Sequence, residues 1–513
     1  MRRVLRLILR LAPAFLLCAA MHAAGPENWV PARWNGGPLE TARRGHLDPS
    51  FAAVLKDWYG TRSLDLLSGT PINCLLVPWS AGVEPKLEAE QQRILTSFVR
   101  EAHTRNIAVV GVLYPAAEPR RAAESAGKAK LDGLALAGEA ASDGRFLAEL
   151  RKYWGKKPVI PLGGRDALRA EADWAVWATK EGVPPRVRIT SGDGAVMATT
   201  TSEPWIESNT WLVQALLAAG GSRPAWLGYA LAEPSVQDYV RAIADASIAG
   251  GRWIVSLDDR LQAGLWRREA QALAAWQSIS AALRQYEEIQ HARPLRPVSV
   301  LGIVRDPAFP YPEIADEYLN LIHRRRIPFT VIERRSLTHG AIAGLRAVLA
   351  LEVAPPSDSE RALLESFAKA GGTLVAGPSW APLKEGEDEF VTAAMGSGEL
   401  ILCRREICAP EAVAREMVDW IGAGNLPVRV FNAPSALLRA WRADSGGTVL
   451  VHLVNYASSP SERVTVRLQG RFPTVRLMRP GAEAVNLKPD FSGSGTEVRV
   501  ERVEVVASLL FEE

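Results

Sequence analysis

Arg223–Pro234 reads RPAWLGYALAEP. An apolar run ends in the carboxylate of Glu233 and is followed at once by Pro234, a residue favoured at the first helical position. An uninterrupted apolar run of this length suits a strand buried on both faces, as in a parallel sheet covered by helices. Leu131–Ala140, LDGLALAGEA, has the same form and ends in Glu139. Outward from these two, similar runs recur at Ala32–Trp34, Asn73–Pro78, Ile107–Leu113, Gly133–Ala137, Pro158–Leu162, Trp174–Ala178, Ala225–Ala230 and Trp253–Leu257. Amphipathic stretches separate them; in Leu87–His103, for example, Leu87, Ile94, Leu95, Phe98 and Ala102 share one face. Eight strand–helix units between residues 26 and 292 predict a TIM (β/α)8 barrel rather than a doubly wound sheet.

The chain of 513 residues is too long for one core, and 48% apolar with 23% charged residues is the balance of a folded protein. A net charge of +3, with no like-charge block longer than Arg324-Arg325-Arg326, offers no nucleic-acid stripe. At the N-terminus, Arg2, Arg3, Arg6 and Arg10 flank an apolar segment from Leu11 to Met21, followed by Ala23, Ala24 and Gly25. This predicts a signal peptide over 1–25, a periplasmic or secreted mature protein, and no membrane attachment after cleavage. Three cysteines then remain. Cys74 sits in an apolar strand as a small buried hydrophobe, whereas the spacing of Cys403 and Cys408 leaves their pairing open. The seven His are scattered, which predicts no metal site. Asn35-Gly36-Gly37 and Gly163-Gly164-Arg165 are too sparse for phosphate loops, so no cofactor is expected, and no G-x-S-x-G elbow occurs.

After a helix at Arg267–Ile289, His291–Pro297 (HARPLRP) reads as a linker. Strands at Val298–Val304, Phe329–Ile332, Ala347–Leu351, Thr373–Ala376 and Glu399–Cys403 then alternate with helices at Ile314–Arg324, Asp358–Ala370 and Pro410–Ile421. This predicts a flavodoxin-like α/β domain over 297–424. From 425 to 513 the pattern turns to short strands without helices, at Thr448–Asn455, Glu462–Leu468, Thr474–Met478 and Glu497–Phe511, which predicts a small β-sandwich.

This domain order resembles glycoside hydrolases of the clan A barrel type, most of all the family-42 β-galactosidase group and its relatives. Leu345–Pro378 (LRAVLALEVAPPSDSERALLESFAKAGGTLVAGP) is similar to the amidotransferase-like trimerisation domain of those enzymes, and Thr448–Tyr456 (TVLVHLVNY) to the opening of their C-terminal domain. The turn Glu352-Val353-Ala354-Pro355 has no Cys nucleophile, so the resemblance implies a packing or subunit-contact role for the middle domain, and with it a homo-oligomer. It further implies an oligo- or polysaccharide substrate, with Glu139 as acid/base and Glu233 as nucleophile of a retaining double displacement. The strand-four glutamate of that family follows an Asn, where this chain has Gly138; the alternative is therefore a catalytically inactive barrel that binds glycans.

Other residues at strand ends are candidate substrate contacts. Asp258 and Asp259 end the eighth strand, and Asp132, early in its strand, reads as structural. Thr201–Trp211 (TSEPWIESNTW) carries Glu203, Trp205, Glu207, Asn209 and Trp211, a polar–aromatic cluster on the long connection after strand six. Of the 16 Trp, 13 precede Arg284. Trp rings stack on the CH-rich faces of sugars. Trp34, Trp79, Trp205 and Trp211 are the expected stacking residues, and Trp174, Trp226 and Trp253 are expected in the core. A third reading is an envelope scaffold that self-associates through the middle domain.

Overall fold

The computed structural model describes residues 25–162, 177–179, 182–187, 204–221, 223–292, 295–380, 389–405, 407–444 and 446–513. The predicted signal peptide before Gly25, Gly163-Gly164-Arg165, Trp174 and Glu203 lie outside the described residues. In the first half, the parallel strands are β1 (Pro31–Arg33), β2 (Cys74–Ser80), β3 (Ala108–Leu113), β4 (Gly133–Ala137), β5 (Val159–Leu162), β6 (Trp177–Thr179) and β7 (Ala225–Leu227). The eighth, β8, comes in two pieces, Arg252–Trp253 and Val255–Ser256. The first piece pairs with β7 and the second with β1. Between them, the Ile254 amide donates to the Leu227 carbonyl at 2.8 Å. The hydrogen-bonded order is thus β6-β7-β8-β1-β2-β3-β4-β5, parallel throughout.

Alternation along these strands sorts side chains into two apolar layers. Cys74, Leu76, Val110, Val112, Ala135, Ile160, Leu162, Trp226 and Ile254 meet in one inner cluster, with Tyr114 and Ala137 against it. Leu75, Val77, Val109, Leu134, Leu136, Val159 and Val255 face the covering helices. Both faces are apolar, which is why the strands read as continuous apolar runs. Within RPAWLGYALAEP the strand is shorter than its apolar run. The strand ends at Leu227, not Ala230, and Pro234 does not begin a helix. The helix runs from Val236 to Ser247 and is capped by Ser235, whose hydroxyl accepts from the Asp238 amide while the Asp238 carboxylate accepts from the Ser235 amide. Ser235 supplies the cap that proline has no side-chain acceptor to provide.

The second region holds a six-stranded sheet whose described strands include Leu301–Arg305, Phe329–Glu333, Ala347–Ala350 and Thr373–Ala376, all parallel, with Gly398–Cys403 parallel beside them. An antiparallel edge strand, Phe390–Met395, was not evident in the sequence because its side chains are largely exposed and unpatterned. Cys403 and Cys408 are disulfide-bonded, with Cα atoms 6.2 Å apart. The third region packs a six-stranded sheet on a four-stranded one over a core that includes Leu438, Val451, Val466, Val500 and Phe511. The HARPLRP segment is more than a linker: Leu295–Pro297 forms the edge strand of that sheet, antiparallel to Ala436–Ala443. Proline is tolerated there because an edge strand leaves one row of amides unused.

Candidate functional site

Parallel α/β strands present their chemistry beyond their C-terminal ends. Glu139 lies there, in the short 3-10 turn Gly138–Ala141 after β4. It is solvent-exposed, and among the described residues its carboxylate has no hydrogen-bond partner. Gly138 has φ +59, and a side chain at that position would press on Pro115. Glu233 lies on the same face, beyond the end of β7, exposed and with φ 44. A side-chain-bearing residue in this left-handed region, and before a proline, costs about 1–2 kcal/mol. No hydrogen bond joins the two glutamates.

Most of the other predicted contacts are structural. Trp34 and Trp79 are fully buried and cannot stack on a sugar. The Trp34 ring packs on Trp58 with centroids 5.0 Å apart and donates to Ser63 Oγ; Trp79 lies under the helix Pro119–Ala129, donating to Ala122 O and Ser125 Oγ. Both rings sit on the helix-facing side of their strands, so strand alternation excludes them from the inside. Trp205 carries the Arg324 guanidinium 3.9 Å from its ring centroid, which covers one face with the second region. Trp211 begins the helix Thr210–Gly220 and packs on both the first and second cores. Glu207 is paired with Arg186 across a short antiparallel ladder at 3.1 Å.

Asn209 is the clearest case. It is buried, and its side chain donates to Val183 O and Asp245 Oδ2 and accepts from the Val183 amide. Asp245 also accepts from the Asn209 amide, from Thr210 Oγ1 at 3.1 Å and from the Tyr456 hydroxyl at 2.6 Å. Burial raises the Asp245 pKa, and the bonds from Tyr456, Asn209 and Thr210 oppose that rise. Arg241 extends the joint, donating to Asn455 O and Ala457 O. The end of TVLVHLVNY is therefore bolted to the strand–helix region. Asp258 caps the helix Asp259–Arg267, accepting from the Arg260 and Leu261 amides and the Tyr239 hydroxyl. Asp259 is exposed and paired with Arg44 at 2.9 Å. Asp132 is structural as expected, accepting from the Val109 amide and His103.

A group the sequence did not single out stands at the same face. The Asn35-Gly36-Gly37 turn after β1 is fixed by Gln91, which donates to Gly36 O and Pro78 O and accepts from the Leu39 amide. Gly37 has φ +77, and a Cβ there would collide with Gln91 Oε1, so the turn requires glycine. The turn leads into the helix Gly37–Arg44, which carries Glu40, Arg43 and Arg44. Glu40 is buried; burial raises its carboxyl pKa, opposed by Arg43 at 3.5 Å and Arg44 at 3.6 Å. Arg43 lies over the Tyr114 ring, 3.6 Å from its centroid. Arg33, at the end of β1, alternates away from the outward Ala32 and Trp34, and its titratable neighbours are Tyr114, Glu40 and Arg43. The visible signal was one cation inside an apolar run, PARW. Among the described residues no three His, Cys, Asp or Glu are grouped to hold a metal ion, and no helix is long and apolar enough to cross a membrane.

This architecture is similar in fold to solved glycoside-cleaving enzymes. The chain superposes on alpha-L-fucosidase isoenzyme 2 from Paenibacillus thiaminolyticus at 10% identity and TM-score 0.59, over 94% of this chain and 99% of that one. It superposes equally broadly on a beta-galactosidase from Bacillus circulans sp. alkalophilus, at 8% identity and TM-score 0.57, over 95% and 99%. No family model and no curated protein matches the sequence. At such identities the likeness is one of fold.

Proposed function

We propose that the chain is a glycoside hydrolase acting on oligo- or polysaccharide, with β1–β8 closing as a TIM barrel between β5 and β6. The observation that carries this is the coextensive fold: both compared enzymes are matched over 99% of their length, all three regions included. Glu139 and Glu233 follow strands four and seven on one face. In a retaining mechanism, two such carboxyls stand about 5–5.5 Å apart across the scissile bond. Glu233 would attack the anomeric carbon while Glu139 protonates the leaving oxygen, and Glu139 would then deprotonate the water that releases the sugar. The strained backbone of Glu233 is of the kind that gathers at functional sites. The middle region packs against the barrel and offers a surface for subunit contact. A periplasmic or secreted location is supported by the arginine-flanked apolar N-terminus and the Cys403–Cys408 disulfide.

One observation favours the second reading, an inactive glycan-binding barrel: Glu139 follows a glycine in a left-handed turn and is exposed rather than held by neighbours. A panel of aryl glycosides and natural glycans separates the two. Wild-type protein should release sugar and Glu233→Ala should lose that activity by at least about a thousandfold. Unchanged turnover in Glu233→Ala removes it from the nucleophile role, and binding without any cleavage establishes the second reading.

A further inference from the structure

Arg33 and Arg43 meet beside Tyr114 at the rim between β1 and β3, with Arg44 next along the same helix, and the negative partners of the three do not match them. Arg44 is satisfied by Asp259, which accepts from both of its terminal nitrogens at 2.9 Å. Arg43 has only a long contact to Glu40, at 3.5 Å, and otherwise sits over the Tyr114 ring, 3.6 Å from its centroid. Arg33 makes no hydrogen bond or ion pair with any described residue, although it is half-buried. Glu40 must serve Arg43 and Arg44 together and is itself disfavoured as an anion by burial. The one anion near Arg33 is Glu40, which it shares with Arg43 and Arg44 and does not touch; a half-buried guanidinium with so distant a counter-charge gains when a ligand supplies a closer one. The rest of the rim is built for rigidity. The Tyr59 hydroxyl donates to Trp34 O at 2.8 Å, and Gln91 pins the turn on the other side, so Arg33 is presented by fixed backbone.

We propose that Arg33 and Arg43, backed by Tyr114, form an anion subsite, so that the substrate of this barrel is an acidic saccharide bearing a carboxylate or sulfate group. This rests on the carbohydrate reading above and narrows its substrate class. The planar guanidinium of Arg33 offers two parallel donors to either oxyanion, and Arg43, placed over the Tyr114 ring, adds a second charge beside it. A neutral sugar would leave both cations unmatched inside a half-dry rim. The subsite therefore discriminates against neutral glycans as well as binding acidic ones.

Isothermal titration of the full mature protein tests this with four ligands: an oligouronide, a sulfated oligosaccharide, a neutral oligosaccharide of the same length, and inorganic sulfate. One acidic saccharide should bind at least about tenfold more tightly than the neutral one, and its affinity should fall as salt rises. Arg33→Met should lose about thirtyfold in acidic-saccharide affinity, the equivalent of a charged hydrogen-bonded pair. Arg33→Lys should recover only part, because it keeps the charge without the fork. Thermal unfolding of each variant verifies folding, and Arg43→Gln provides a second variant should Arg33→Met not fold. If neutral and acidic saccharides bind alike, or Arg33→Met binds the acid as wild type does, the subsite is overturned while the carbohydrate reading stands. If inorganic sulfate binds through Arg33 and no saccharide does, the anion site stands and the carbohydrate reading falls. Binding of none of the four overturns both.

Discussion

Two polar clusters in the same strand–helix region are built on opposite principles. Around Asp245, each carboxylate oxygen accepts from donors on Asn209, Thr210 or Tyr456, and the group is sealed between the first and third regions. Around Arg33, the arginines are partly exposed, Glu40 is buried, and the cations exceed what Glu40 and Asp259 can match. A satisfied buried network specifies how parts fit together; an unsatisfied one at a rim is left open for something that arrives later. Polarity in the sequence does not distinguish them. The balance of donors and acceptors does.

The contrast breaks most visibly under substitution. Asp245→Ala strands the buried donors of Asn209, Thr210 and Tyr456 and should cost about 3 kcal/mol or more, read by urea or thermal unfolding. Arg33→Met should stay within about 1 kcal/mol of wild type or gain stability, since no partner is lost. Equal costs at the two positions would erase the distinction.

Acid sharpens it next. On the same seam with the third region, His452 is buried beside Tyr286, bonded to Ser508 Oγ at 2.8 Å, and its pKa is pushed down to about 3 by burial. Its unfolded value is about 6.5. Because the folded value is the lower one, its contribution is present above about pH 6.5 and is lost as pH falls toward about 3. Equilibrium unfolding of the wild type against pH should slope downward through this window, and His452→Phe should flatten the slope by about one proton. The smallest effect is at His103, where the hydrogen bond to Asp132 raises the imidazole pKa. Here the sign reverses: the stabilising share is present below about pH 6.5 and is lost as pH rises through the raised folded value. NMR titration of His103 should give a midpoint above 6.5 that falls in Asp132→Asn.

Strands such as Cys74–Ser80 and Ala108–Leu113 were legible because both of their faces are buried, which leaves uninterrupted apolar runs. Their ends were not. RPAWLGYALAEP stays apolar to Ala232, yet the ladder stops at Leu227, since pairing depends on the neighbouring Trp253 and Thr179. The residues of 205–211 carried the composition of a sugar site, but their partners, Arg324, Asp245 and Arg186, are distant in sequence and make the segment a joint. Trp34 and Trp79 sat beside strand ends as expected, and the alternation that puts them outside was readable only once the ladder was fixed. The rim pair Arg33 and Arg43 was missed because its meaning comes from Tyr114 and Glu40, which no local pattern joins to Arg33.

The proposal that the chain cleaves saccharides with Glu139 and Glu233 meets its most direct test in product release. Purified mature protein should liberate sugar from an acidic oligosaccharide, with retained anomeric configuration by NMR. Glu139→Gln and Glu233→Ala, each folded, should both fail to do so. Release undiminished in either variant, or no release from any saccharide that binds, would contradict it.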